Sequence, residues 1–505
     1  MSNTTIAKNA IFLYIRTILT IFISLYSSRI LLQILGVEDF GLYNLIGGIV
    51  AIFTSLRIFL SNAIQRFINY ERGQGNLDKV RVIFNIGLYI HKWVAVIFFV
   101  ICEVAGLLLI GKLNIDPDRL YAAYWTFQLS ILTTIVSILA VPYDALIIAN
   151  ERMDFFAMMS IAEAVLKLCI IYIVSIIPFD RLIFYAFLFF LVCVFIRCIN
   201  IIYCKMSFAE SRAMKCHDKK LMRNMMTFAG WNICGNLGYS LMHEGVNFIL
   251  NLFGGVIVNA AKGITYQILS AVNTLIGNVS IAFKPQINSV YGSGDHLQFY
   301  NLLIYNGKIL FASYIIIVVP LFIFVPQILH FWLESVPVYT IEFVRAIMFY
   351  GLIRSLHSVM NSYYDSVGQM KYYQLCELCF MIINIPIAYL LLSRRFPFWS
   401  VFIAMGILEL MNFIAIIIIA VHLYKFNYKI YIRGVIFPYI KIIVCAVFII
   451  CVIFPYAANV SNIVLVLMGC AVLILVMLVC SFFLIFNSEE RKSFTAYVLQ
   501  RLKRV

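Results

Sequence analysis

Charge is what this chain lacks. Of its 505 residues only 12% are Asp, Glu, Lys or Arg, against 63% hydrophobic. A soluble globular domain carries roughly 25% charge, so a water-soluble fold is excluded and an integral membrane protein is expected. Acidic residues are scarcest: 23 stand against 38 Lys and Arg, for a formal net charge of +15. Long hydrophilic segments are also missing, the longest internal one being the basic stretch 204–224. A membrane enzyme that builds or transfers glycans needs a larger extramembrane site, so no enzyme is expected and function must sit among the helices. The same shortness leaves no basic soluble domain, so no nucleic-acid partner is expected.

Other absences narrow the reading further. The thirteen cysteines all fall in apolar runs or in inside loops, which argues against a disulfide framework. Cys376 and Cys379 form a CxxC inside an apolar run, where they read as small apolar residues. Gly106 to Lys112 mimics a phosphate-loop spacing but lacks the Ser/Thr that would hold magnesium. His243 and Glu244 are adjacent and point to different helix faces, so they make no zinc-type pair. No cofactor and no metal are expected. The first apolar run is long and carries Arg16 and Arg29, unlike a cleavable leader.

What is present is apolar sequence in lengths that cross a bilayer. A helix of about 20 residues covers about 30 Å of hydrocarbon. Fourteen spans are predicted: 10–34, 41–65, 83–111, 121–149, 155–177, 182–203, 227–251, 261–283, 303–332, 342–366, 372–392, 399–423, 434–456 and 462–486. With the N-terminus inside, the cytoplasmic segments carry 22 Lys and Arg and the outside loops five: Lys112, Arg119, Arg181, Arg394 and Arg395. That bias predicts both termini in the cytoplasm. It also accounts for the net charge, through contact with anionic inner-leaflet lipid.

Three short echoes point to duplication. Leu32-Gln33-Ile34-Leu35-Gly36 returns as Leu250-Asn251-Leu252-Phe253-Gly254. Gly73-Gln74-Gly75-Asn76 returns as Gly292-Ser293-Gly294-Asp295, and Met153-Asp154-Phe155-Phe156 as Met370-Lys371-Tyr372-Tyr373. The offsets are 218, 219 and 217 residues. Six predicted spans separate each pair, an even number, so the copies are parallel repeats, a transporter signature. The expected fold is an all-α polytopic membrane protein of about fourteen helices, with two parallel six-helix repeats and two C-terminal helices. The domains are a lobe over 1–203, a basic linker over 204–226, a second lobe over 227–423, two added helices over 424–486 and a basic tail over 487–505.

Ionisable groups deep in the spans are the candidates for function. Each costs roughly 2.5–3.5 kcal/mol at mid-bilayer on insertion scales, so they must face protein or a watery cavity. Arg29, Arg57, Lys262 and Arg354 are candidate anion-binding cations, and Arg suits phosphate through its bidentate fork. Arg354 and His357 share a face at i, i+3, while Asp365 is too far along the same helix to pair with it directly. Glu103, Asp144 and Glu244 are candidate ion-coupling acids. Glu163 and Lys167, at i, i+4, are expected to neutralise each other, and Arg16, Arg197 and Lys308 to snorkel. Glu377 and Glu409 are buried acids without an assigned role. Pro142, Pro320, Pro326 and Pro386 mark bends. The glycine pairs 47–48 and 254–255 permit bending or close packing.

A family resemblance rests on particular segments. Ser28-Arg29-Ile30-Leu31-Leu32-Gln33-Ile34-Leu35-Gly36-Val37-Glu38-Asp39-Phe40-Gly41-Leu42-Tyr43 resembles the signature after the first helix of bacterial polysaccharide (O-antigen, Wzx-type) flippases. Val141 to Met153 resembles their fourth helix and its inside turn, and Lys284-Pro285-Gln286 the end of their eighth. That family belongs to the multidrug/oligosaccharidyl-lipid/polysaccharide exporter superfamily. The resemblance implies two six-helix lobes forming a V-shaped cavity lined by helices 1, 2, 7 and 8, and alternating access. It implies that a polyprenyl-diphosphate-linked oligosaccharide moves from the inner to the outer leaflet of the bacterial cytoplasmic membrane, with cavity cations engaging the diphosphate. Membrane lipids and glycan polymerase or assembly proteins are the implied partners. Competing readings are a cation-coupled multidrug exporter, a lipid II flippase, or a membrane scaffold in a glycan assembly complex.

Overall fold

Two glycines decide how the two longest helices run. Gly36 sits at φ 78°, ψ 172° and Gly255 at φ 68°, ψ −170°. That region is essentially closed to residues with a Cβ, so each glycine breaks a helix that otherwise continues. The computed structural model describes residues 3–73, 76–150, 152–212, 214, 218–292, 295–457, 460, 462–488 and 490–491. α1 runs Asn3–Gly73 through the break at Gly36, and α6 runs Lys219–Gly292 through the break at Gly255. Between them lie α2 (Leu77–Leu109), α3 (Leu120–Ala149), α4 (Met153–Ile176) and α5 (Arg181–Ser207). After them come α7 (His296–Trp332), α8 (Thr340–Val367), α9 (Met370–Ser393), α10 (Ser400–Tyr424), the single turn α11 (Tyr428–Tyr431), α12 (Phe437–Ala457) and α13 (Ile463–Leu484). A π-helical turn, Ile432–Ile436, joins α11 to α12.

The all-helical architecture expected from the apolar runs is therefore found. Each of the fourteen predicted spans falls in a helix: α1 and α6 hold two each, on either side of their breaks, and α11 holds none. Among the described residues, eleven helical stretches are long and apolar enough to cross a membrane. α8 is not one of them; it carries Arg345, Arg354, Glu342 and Asp365. The three sequence echoes mark equivalent structural points. The first pair coincides with the helix breaks, though the second break falls at Gly255, one residue beyond the echoed Gly254. The second pair, Gly73 and Gly292, ends α1 and α6, and the third, Met153 and Met370, starts α4 and α9.

Helix starts have local causes. Asp180 caps α5, its carboxylate accepting from the amides of Leu182 and Ile183. Asp295 caps α7 through Gln298, and Asn462 caps α13 through Val464. These contacts satisfy amide groups that have no partner within the helix. Gly368, with φ 75°, closes α8.

The chain forms two compact units, 1–263 and 264–505. In the first, α3 packs against α1 and α5, and α1 also packs on α4. Its core includes Leu42, Ile46, Phe98, Phe127 and Ile131, with a second cluster around Phe84, Ile68 and Leu146. In the second unit α7 is packed by α8, α12 and α13. Phe311 stacks on Tyr439 at 3.7 Å in that core. α12 and α13 instead present large apolar side chains such as Phe448, Val444 and Leu475 outward. Lipid tails are as apolar as these residues, so helix association depends on close packing and buried polar contacts rather than on hydrophobic burial.

Candidate functional site

Among the described residues, three clusters of polar contacts join or bridge helix segments. The first surrounds the break in α6. Before the break α6 carries Glu244, Asn247 and Asn251; after it come Asn259 and Lys262. Four of these are buried: Asn247 3%, Asn251 0%, Asn259 0% and Lys262 5% exposed. The Asn259 amide donates to the carbonyl and side-chain oxygen of Asn247, at 2.9 and 2.7 Å. Asn251 donates to Asn259 Oδ1 at 3.0 Å and accepts from the Asn114 amide at 2.9 Å. Asn247 donates to Glu244 Oε2 at 3.3 Å and to the Asn44 carbonyl at 3.4 Å. Lys262 Nζ lies 3.8 Å from Glu244 Oε2. The asparagines thus bridge the two sides of the break, where backbone groups lose their helical partners.

α1 reaches this cluster because glycines on α1 and α6 leave room where the two helices meet. A Cβ at Gly48 would strike Glu244 Oε2, one at Gly41 the Val256 carbonyl, and one at Gly263 would meet Asn44 at 2.6 Å. Beside the break lies a cavity of about 290 Å³ lined by Glu38, Asp39, Asn114, Asp116, Arg119, Gly254 and Gly255, among others. Arg119 closes one side of it, donating to Asp39 at 2.8 and 2.5 Å and to Asp180 at 2.5 Å.

The second cluster joins α3, α4 and α5. Arg197 sits 3.4 Å from Asp144 and 3.1 Å from Glu163, and Lys167 bonds Glu163 at 2.7 Å. Asn200 donates to Asp144 at 2.9 Å. Two cations and two carboxylates cancel. The third cluster joins α8, α9 and α10. Arg354 Nη1 lies 2.9 and 2.7 Å from the two oxygens of Glu377 and 2.5 Å from Glu409 Oε1. Asn412 donates to Glu377 Oε1 at 3.2 Å. The Nε2–H of His357 donates to the Glu409 carbonyl at 3.1 Å.

No protein-family model matches this sequence, and no curated protein matches it either. Solved structures do. An inward-facing multidrug resistance MATE family transporter of the MOP superfamily aligns with TM-score 0.69 and 13% identity, over 78% of this chain and 93% of that one. A MOP superfamily transporter from Pyrococcus furiosus aligns with TM-score 0.62 and 12% identity, over 84% and 96%. The lipid II flippase MurJ, in an inward closed conformation, aligns with TM-score 0.68 and 12% identity, over 93% and 98%.

The chain has the MOP superfamily fold.

On that fold the sequence-predicted residues scatter. Lys262 and Glu244, expected as an anion-binding cation and a coupling acid, are brought together as a pair. Arg29 is half-buried on the first part of α1. The side chain of Arg57 lies outside the described residues, as do those of Lys284, Pro285 and Gln286. Glu103 is half-buried and accepts from Gln128 at 3.3 Å. Asp144 is neutralised by Arg197, and Arg354 by two carboxylates. Glu163 and Lys167 pair as predicted. Two expectations fail. Arg197 does not snorkel, because Asp144 and Glu163 hold it between helices with 12% of its side chain exposed. Lys308, only 1% exposed, bonds both oxygens of Glu490 from beyond α13, at 2.9 and 2.8 Å. The asparagine series and the role of Glu377 and Glu409 were missed. An available signal was the presence of two acids in neighbouring spans beside one that carries an uncompensated arginine.

Proposed function

We propose that the chain is a flippase for a polyprenyl-diphosphate-linked oligosaccharide, of the polysaccharide (O-antigen, Wzx-type) kind, acting by alternating access in the bacterial cytoplasmic membrane. One observation carries the reading: buried asparagines around the break in α6 sit with the Lys262 ammonium. Carboxamides exchange hydrogen bonds with sugar hydroxyls, and an ammonium answers a phosphate charge. The fold itself is shared with a lipid II flippase and with a MATE transporter alike. Transport then needs no bond to be made or broken. The protein lowers the cost of carrying a hydrated polar head through hydrocarbon, while the polyprenyl tail stays in lipid.

Deletion of the gene, followed by mass spectrometry of lipid extracts, tests this reading. Accumulated polyprenyl-diphosphate oligosaccharide and loss of surface polysaccharide are expected, and Lys262→Met should reproduce part of the defect with normal amounts of protein in the membrane. Unchanged lipid-linked glycans would refute it. A cation-coupled multidrug exporter is favoured by the MATE likeness at TM-score 0.69. That reading requires proton- or sodium-dependent efflux of organic cations from vesicles.

A further inference from the structure

We propose that Arg345, where α7, α8 and α12 meet, forms a binding site for a phosphate group at the edge of the second unit. The inference goes beyond the cargo and does not depend on it. Arg345 lies in the second turn of α8, which starts at Thr340. Its guanidinium stands over the ring of Phe454 at 4.8 Å, about one turn short of Ala457, where α12 ends. The large, exposed Tyr456 beside it is of the residue type that settles at headgroup level. The charge therefore sits just inside the ends of these helices, on the side that the charge bias predicts to be outside. Lipid phosphates lie just beyond the hydrocarbon, within reach of that level.

A proline fixes the guanidinium. Pro326, inside α7, has no N–H, so the carbonyl of Phe322 four residues back loses its helical donor. Arg345 Nε donates to that carbonyl at 3.3 Å, and its Cζ lies 5.6 Å from the centre of the Phe322 ring. Away from water a freed carbonyl has to be satisfied from within the protein, so this bond has a cause of its own and needs no ligand. It commits Nε and holds the side chain in place. The forked end, Nη1 and Nη2, is left to act.

No carboxylate among the described residues pairs with this cation. Glu342, one turn before it on α8, is the acid whose charge acts on it, and the two form no ion pair. Nη1 and Nη2 make no hydrogen bond among the described residues, and neither is enclosed. The contrast with the other arginines between helices is plain: Arg119, Arg197 and Arg354 each meet two carboxylates. A permanent charge held against two phenyl rings is costly in apolar surroundings, and the ring faces offset only part of that cost. An anion at the open fork offsets the rest. Two parallel N–H groups match two oxygens of a phosphate, and phosphate is the anion that a bilayer supplies at this depth.

Thermal unfolding of the purified full chain in a neutral detergent tests the proposal, with short-chain phosphatidylglycerol, the matching diacylglycerol and inorganic phosphate as probes. Phosphatidylglycerol should raise the midpoint of wild type and diacylglycerol should not. Arg345→Met should weaken the apparent affinity about tenfold, whereas Arg394→Gln, which removes an exposed cation predicted on the same side, should leave it unchanged. A response to inorganic phosphate alone that Arg345→Met loses would uphold the site and assign it to free phosphate rather than to a lipid headgroup. If Arg345→Met does not fold, Pro326→Ala takes its place: it returns an N–H to the Phe322 carbonyl, releases Nε and should weaken the affinity several-fold. Failure of wild type to respond to either phosphate probe would overturn the proposal. So would an equal response to diacylglycerol, or equal affinities in wild type and in whichever of these two variants is read.

Discussion

Gly255→Ala isolates backbone strain from every other effect. At φ 68°, ψ −170° the residue occupies a region that only glycine visits freely. Space is not the obstacle: the nearest atom to an added Cβ, Asn114 Nδ2, would be 3.6 Å away, an ordinary contact. Any loss therefore comes from the backbone, at about 1–3 kcal/mol. For a unit of this size each kcal/mol lowers the midpoint by about 2–4 °C, so a cost near 2 kcal/mol predicts a fall of about 4–8 °C. Gly254→Ala is the control, since Gly254 has no positive φ. Gly36→Ala should behave like Gly255→Ala, because φ is 78° and nothing lies within 4 Å of the new methyl. Intrinsic tryptophan fluorescence during a thermal ramp reads all three. Equal midpoints for Gly255→Ala and Gly254→Ala would mean that the break is not a fixed feature of the folded chain, and the strain argument would fail.

Three further perturbations test the packing of charge and glycine. Arg197→Leu removes the guanidinium that Asp144 and Glu163 share; it should cost about 3–5 kcal/mol, seen as reduced monodisperse yield, with partial recovery when Asp144→Asn is added. Gly48→Ala should destabilise more than Gly47→Ala, since only the former meets Glu244 and Asn247 while Gly47 faces open space; a paired melting comparison decides it. Glu490→Gln leaves the buried Lys308 ammonium without its carboxylate, so the midpoint should drop by several degrees, and Lys308→Met in the same background should restore most of it. An unchanged midpoint in Glu490→Gln would detach the segment after α13 from the stability of the second unit.

How much of this was legible in advance follows the range of the interactions involved. Helices were legible because an apolar run long enough to cross a bilayer has to satisfy its own backbone groups within the segment. The duplication was legible because its landmarks are local: a glycine that breaks a helix, a glycine that ends one and a methionine that starts one recur at nearly one offset. The shift of the second break to Gly255 was not, since Gly254 and Gly255 offer the same freedom and only the surrounding asparagine contacts choose between them. Charge pairing divided in the same way. Glu163 and Lys167 lie one turn apart on α4, so spacing alone paired them. Arg354 finds its acids 23 and 55 residues away on α9 and α10, and Arg197 finds Asp144 53 residues back on α3. No periodicity encodes which faces of different helices meet. Counting deep charges helix by helix shows that each must have a partner, because an unpaired one is too costly in lipid. Only the fold says which partner it is: Arg354 meets Glu377 and Glu409 from two other helices.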